Sequence, residues 1–160
     1  MNKPILLAVI ALAATLSAPA AMAADEHNVV PGLTLEGAPL GLHGVDPVAF
    51  VELGNRIDGV ASFVAVHDGV AYYFATEANR DIFKKNPERY VPQNGGFCTY
   101  GVSVGKKFDG DPRYAAVVDG KLYVFVNEDI LRAFNKDRAG TIKKASKNWA
   151  KIRNIAATDL

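Results

Sequence analysis

Residues 60–77 read VASFVAVHDGVAYYFATE, and residues 111–128 read DPRYAAVVDGKLYVFVNE. The two stretches stand 51 positions apart and share one plan. An apolar run leads to Asp-Gly, a second run returns, and a polar residue followed by Glu opens the next element. Asp68-Gly69 and Asp119-Gly120 are hairpin signals, because the tight turn needs positive φ and Gly adopts it freely. Thr76 and Asn127 then read as helix N-caps. Glu77 and Glu128 fall in the first turn, where the helix dipole favours a carboxylate. The first helix is expected to run to about Asn86, with Ile82 and Phe83 as its apolar positions and Pro87 as its stop. The second turns Ile130, Leu131 and Phe134 towards the core.

The repeat extends outward from these hairpins. Residues 44–83 recur without a gap at 95–134, and thirteen of the forty pairs are identical, among them Asp58/Asp109, Tyr72/Tyr123, Phe74/Phe125 and Phe83/Phe134. A fixed period of this size marks a duplicated supersecondary unit. Val48–Leu53 and Thr99–Val104 are short apolar runs, expected as strands. Val60–Val66 is apolar at nearly every position and is expected as a buried strand. Beyond Gly140, Ile142, Ala145, Trp149 and Ile152 recur at helical spacing, with Lys143, Lys144 and Lys147 on the opposite, solvated face. The expected fold is α+β: a strand–hairpin–helix unit used twice about a pseudo-two-fold, with a C-terminal capping helix over about 140–154. Repeat 1 spans about 44–90 and repeat 2 about 95–134, within a single domain at 43–155. Residues 24–42, rich in Gly and Pro, form an extended lead-in.

Residues 1–23 read as a secretory signal peptide. Lys3 is the positive start, Ile5–Leu16 the apolar stretch and Ala21-Met22-Ala23 the cleavage triplet. The expected location is therefore periplasmic or secreted, in a bacterium, with no stable membrane span after cleavage. Both methionines, Met1 and Met22, leave with the peptide. Loss of Lys3 balances the 18 basic residues of the chain against its 17 acidic ones. A neutral chain has no electrostatic footprint for nucleic acid. The lone cysteine, Cys98, cannot form an internal disulfide. It is buried, reactive, metal-bound or paired with another molecule.

Chemistry is sought where the copies diverge, at their starts. His43-Gly44-Val45-Asp46-Pro47 faces Asn94-Gly95-Gly96-Phe97-Cys98 in the ungapped alignment, which pairs Cys98 with Pro47. If the two starts meet, Cys98, His43 and Asp46 form a candidate metal set, and Tyr100 adds a candidate ligand-binding side chain. Thiolate with imidazole suits copper or zinc. The same pair could give an activated thiol for an enzyme or redox sensor. Alternatively, Cys98 packs in a core as free cysteines often do, leaving a scaffold for a protein partner. His67, just before a hairpin turn, is a further candidate ligand, and His27 lies in the lead-in. The repeated Tyr-x-Phe matches a strand face. No Cys-x-x-Cys, His-Glu-x-x-His, phosphate loop or nucleophile elbow is present.

Five short motifs together resemble the YHS-domain family. They are Asp46-Pro47-Val48, Tyr72-Tyr73-Phe74, Asn79-x-x-x-Phe83, Asn86-Pro87-x-x-Tyr90 and Gly95-Gly96-Phe97-Cys98. With Asp109 to Pro112, the chain is most similar to the small exported members over about residues 40–150. The resemblance implies metal binding through cysteines placed after Asp-Pro-Val, after Tyr-Tyr-Phe and four residues further on. Those positions hold Ala49, Ala75 and Asn79 here. The expectation is a non-enzymatic binding module for a metal ion or small molecule near Cys98.

Overall fold

A computed structural model describes residues 26–160. The expected signal peptide lies outside the described residues. The chain is α+β. The first sheet takes β1 (Val29–Val30), β2 (Leu40–Gly41), β3 (Val60–His67) and β4 (Val70–Phe74) in the order β1-β2-β4-β3. β2 pairs with β4 in parallel through Leu40 and Ala71, and the other pairs are antiparallel. β5 (Asp111–Val118) and β6 (Lys121–Phe125) form a separate two-stranded sheet.

Both hairpins close as the Asp-Gly signal requires. Asp68 and Gly69 have φ of 47° and 75°, and Asp119 and Gly120 have 51° and 70°. Two successive positive φ values match the twist of the flanking strands. Each hairpin also slips its register at the equivalent place, between Val60 and Val64 and between Asp111 and Ala115. Thr76 caps α2 (Glu77–Lys85), accepting from the Asn79 N–H at 3.1 Å. Asn127 caps α4 (Glu128–Lys136), accepting from the Ile130 N–H at 3.0 Å.

Three expectations are corrected. Val48–Leu53 and Thr99–Val104 are not strands. They form the helices α1 (Pro47–Leu53) and α3 (Thr99–Ser103). In α1, Asp46 is the N-cap and Pro47 takes the first helical position, where its missing N–H costs nothing. Gly54 ends the helix in the left-handed region at φ 67°. Val60–Val66 is a strand, but it is not buried. β3 is the sheet edge, and only Ala65 of the run is fully covered, while Val60 and Val66 are exposed. Finally, Ile82 faces solvent, and Phe83 alone anchors α2 in the core.

The core explains why β6 matters to both halves. Side chains alternate across a strand. Leu122 and Val124 join Tyr72, Phe74 and Phe83 in one cluster, while Tyr123 and Phe125 join Cys98 and Phe134 in another. Phe74 and Phe83 lie 5.0 Å apart between ring centroids, and Phe125 and Phe134 lie 4.6 Å apart. Truncating either helix phenylalanine to Ala would cost ~3–5 kcal/mol by the usual core scale. The C-terminal helix α5 (Arg138–Ile152) packs Ala145 and Ile152 against Phe97 and Val102 of the α3 region. Lys143, Lys144 and Lys147 are exposed, as helical spacing predicts. Lys107 closes the C-terminal end of α5. Its ammonium donates to the carbonyls of Arg153 and Ile155, both at 2.7 Å, and stands over the Phe97 and Trp149 rings. Among the described residues, no helix is long and apolar enough to cross a membrane.

Candidate functional site

The residues singled out by sequence fall into separate settings. Asp46 is fully buried and accepts four hydrogen bonds. Its Oδ1 takes the N–H groups of Val48 at 2.8 Å and Ala49 at 3.0 Å. Its Oδ2 takes the Ala75 N–H at 2.8 Å and the Asn79 amide at 2.7 Å. Ala49, Ala75 and Asn79 are the three positions at which the family resemblance puts cysteines. They converge in space on one carboxylate. In this chain that convergence is a polar clasp tying α1, the end of β4 and α2 together.

Cys98 occupies the matching position in the second half. The Asp46 N–H donates to the Ile57 carbonyl and the Cys98 N–H to the Phe108 carbonyl, each at 2.9 Å. Val45 bridges to Asp58 as Phe97 bridges to Asp109. Each residue stands immediately before a short helix. Cys98 therefore corresponds to Asp46, and the pairing of Cys98 with Pro47 is corrected. The ungapped alignment fails here because the second half is one residue shorter through its helix, so the spacing is 52 before α3 and 51 after it. At a spacing of 51, Ile130 stands where Asn79 does. Carboxylate and amide have been exchanged together for thiol and alkyl. The Cys98 side chain is buried with Tyr123, Phe125 and Phe134, and makes no cap hydrogen bond. Tyr100 and Ile130 pack on the same cluster.

His43 is held elsewhere. It sits at φ 49°, and its Nε2 lies 2.9 Å from Asp109 Oδ1. Asp109 also accepts from the Asn28 amide at 2.7 Å, so it pins the amino-terminal segment to the second half. Among the described residues, Cys98, His43 and Asp46 do not form a set of converging ligand atoms.

Such a set forms around His67. His67 ends β3, Asp68 occupies the hairpin turn, and Glu88 lies in the single 3₁₀ turn Pro87–Arg89 after α2. One ligand atom from each lies within 4.8 Å of the other two. His67 Nε2 is 2.9 Å from Glu88 Oε1 and 3.7 Å from Asp68 Oδ2. Packing fixes the imidazole, which stands edge-on to Phe83 at 6.2 Å. These three residues line a cleft of about 310 Å³ whose other wall includes His27, Asn94, Trp149 and Arg153. The Asn94 Oδ1 is buried without a hydrogen-bond partner among the described residues. Burial pushes the His27 pKa down, against the opposing pull of Glu26 and Asp68. Burial, reinforced by Asp68 and Glu88, raises the Tyr72 hydroxyl well above the ordinary tyrosine range.

One imidazole and two carboxylates give nitrogen and oxygen donors of the kind that hold divalent ions. Glu88 was not found from sequence, because 21 residues separate it from His67 and no periodicity joins them. Its one signal was the Pro87 helix stop, which returns the chain to the hairpin turn.

No curated protein and no solved structure matches the chain. A family model does match, over residues 58–94, from Asp58 through β3, β4 and α2 to Asn94. The stretch contains His67, Asp68 and Glu88 and stops short of Cys98. The family matched by residues 58–94 is the YHS domain.

Proposed function

We propose that this protein is an exported, non-enzymatic YHS-type module that binds a divalent metal ion at His67, Asp68 and Glu88. The observation that carries the reading is the convergence of those three ligand atoms within 4.8 Å inside a cleft. Two carboxylates beside a neutral imidazole offset the charge of a divalent ion and leave room for water as a further ligand. The enclosure of Cys98 by aromatic rings favours this place over the thiol, and it gives a thiol-dependent activity no support.

Titration of the purified protein with Zn(II), Cu(II) and Cu(I), against a competing chromophoric chelator, tests the reading. Zn(II) and Cu(II) are expected to bind with sub-micromolar dissociation constants. His67→Ala abolishes that binding and Cys98→Ser leaves it unchanged. Affinity that survives His67→Ala and Glu88→Gln, or that is lost with Cys98→Ser, refutes the assignment.

A further inference from the structure

Residues 26–30 run as a strap along the cleft, and both flanks of His27 are anchored. On one side, Glu26 pairs with Arg153 of the C-terminal region at 3.1 Å. On the other, the Asn28 N–H donates to the Gly95 carbonyl at 2.7 Å, and its side-chain amide reaches the Gly96 carbonyl at 3.1 Å and Asp109 at 2.7 Å. The strap is seated closely. A Cβ on Gly95 would lie 2.0 Å from the Glu26 carbonyl oxygen, and Gly95 holds φ at +62°. Only glycine fits that approach without strain.

The anchors, made by Glu26 and Asn28, hold the backbone of His27 and do not involve its ring. The ring lines the cleft and makes no hydrogen bond among the described residues. Its electrostatic neighbours include Asp68 and His67, two members of the converging set. It lies outside the 4.8 Å set itself, so engaging it calls for a change of rotamer. Such a change is open to a partly exposed side chain with no hydrogen-bond partner among the described residues.

We propose that His27 is a fourth ligand for the ion held by His67, Asp68 and Glu88. The ion then joins the strap to the first hairpin and to the turn after α2. This rests on the metal reading of the same cleft. Two imidazoles with two carboxylates specify an ion that accepts nitrogen and oxygen together, of the Zn(II) or Cu(II) class. Cu(I), which selects thiolate and thioether sulfur, is excluded by the donor set. The second imidazole also distinguishes the site from an all-oxygen one suited to Mg(II) or Ca(II).

Three measurements on the purified protein test the assignment. In the first, Zn(II) affinity is compared for the wild type, His27→Gln, His67→Ala and Glu88→Gln. His27→Gln is expected to weaken binding at least about tenfold, the lower bound for loss of a group supporting a metal centre. In the second, electron paramagnetic resonance of the Cu(II)-loaded protein counts nitrogen ligands. Two imidazole nitrogens are expected in the wild type and one in His27→Gln. Hydrogen exchange over residues 26–30 should slow on Zn(II) addition in the wild type and not in His27→Gln. Loss of binding in His67→Ala with unchanged affinity and nitrogen count in His27→Gln overturns the inference and leaves the three-residue site standing. Binding indifferent to both His67→Ala and Glu88→Gln overturns the two together. An unchanged denaturation midpoint shows that the fold of His27→Gln is intact.

Discussion

Asp46→Ala removes the buried carboxylate on which α1, β4 and α2 converge. The size of the effect follows from the four bonds it makes. Loss of an N-cap costs ~1 kcal/mol. The Ala75 N–H and the Asn79 amide also lose their acceptor, and an unsatisfied buried donor costs ~1–3 kcal/mol. Both residues are half-buried, so the low end applies to each. The total is ~3 kcal/mol, a large part of the ~5–15 kcal/mol that holds a typical domain together. In a domain of this size it lowers the melting temperature by roughly 6–12 °C. Urea unfolding followed by far-UV circular dichroism and by the fluorescence of Trp149, the only tryptophan, measures it. A second variant tests the mechanism. Asn79→Ile copies the second half, where Ile130 takes that place. In the double variant the amide no longer waits for a partner, so the combined cost should fall short of the sum by ~1 kcal/mol. A cost below ~1 kcal/mol for Asp46→Ala, or strict additivity in the cycle, would refute the clasp.

Three further outcomes follow from burial. Cys98 should react with thiol reagents only as fast as the protein opens, and Cys98→Ser should cost ~1–3 kcal/mol by placing a hydroxyl among aromatic rings; rapid labelling under native conditions would contradict the packing. Thr99 is fully buried, and its Oγ1 has no hydrogen-bond partner among the described residues. Thr99→Val should therefore raise stability by ~1 kcal/mol in the same urea assay, and a loss would point to an unseen partner for the hydroxyl. Tyr72 should make the protein weaken at alkaline pH. Its folded pKa is raised by burial, so above the unfolded value of roughly 10 the folded state keeps a proton that the unfolded chain releases. That contribution is whole below pH 10 and declines as pH rises beyond it. Tyr72→Phe should flatten the fall of the urea midpoint between pH 9 and 11, and an unchanged slope would show that Tyr72 ionises normally in the fold.

The hairpins were legible because their turn chemistry is local. Asp-Gly between apolar runs admits few alternatives, and the caps at Thr76 and Asn127 stand directly after each return strand. The helices α1 and α3 were misread for an equally local reason. Runs of five to seven apolar residues show neither a helical nor a strand period clearly. The available signal was Asp46-Pro47, whose side chain and ring suit a cap and a first helical residue better than a strand. The edge position of β3 was invisible, since strand order is set by tertiary pairing and not by composition. The candidate site was half legible. His67 stood out as a residue type, whereas Glu88 and His27 reach it only through the fold.

The two halves also separate structure from chemistry. Where their packing differs, the differences are paired: Asp46 with Asn79 on one side, Cys98 with Ile130 on the other. Each pair satisfies itself, one by hydrogen bonds and the other by apolar contact, so packing accounts for the place of the lone cysteine. The differences around the first hairpin turn have no such compensation. His67, Asp68 and Glu88 stand opposite Val118, Asp119 and Ala139 at the same spacing. The turn is kept and its Asp is kept, but the imidazole and the second carboxylate occur once. His67 shares its donor atom with carboxylates in a cleft, while Val118 needs no partner at all. A polar set that the fold does not require, placed where the other half manages without it, is where a ligand has a reason to bind.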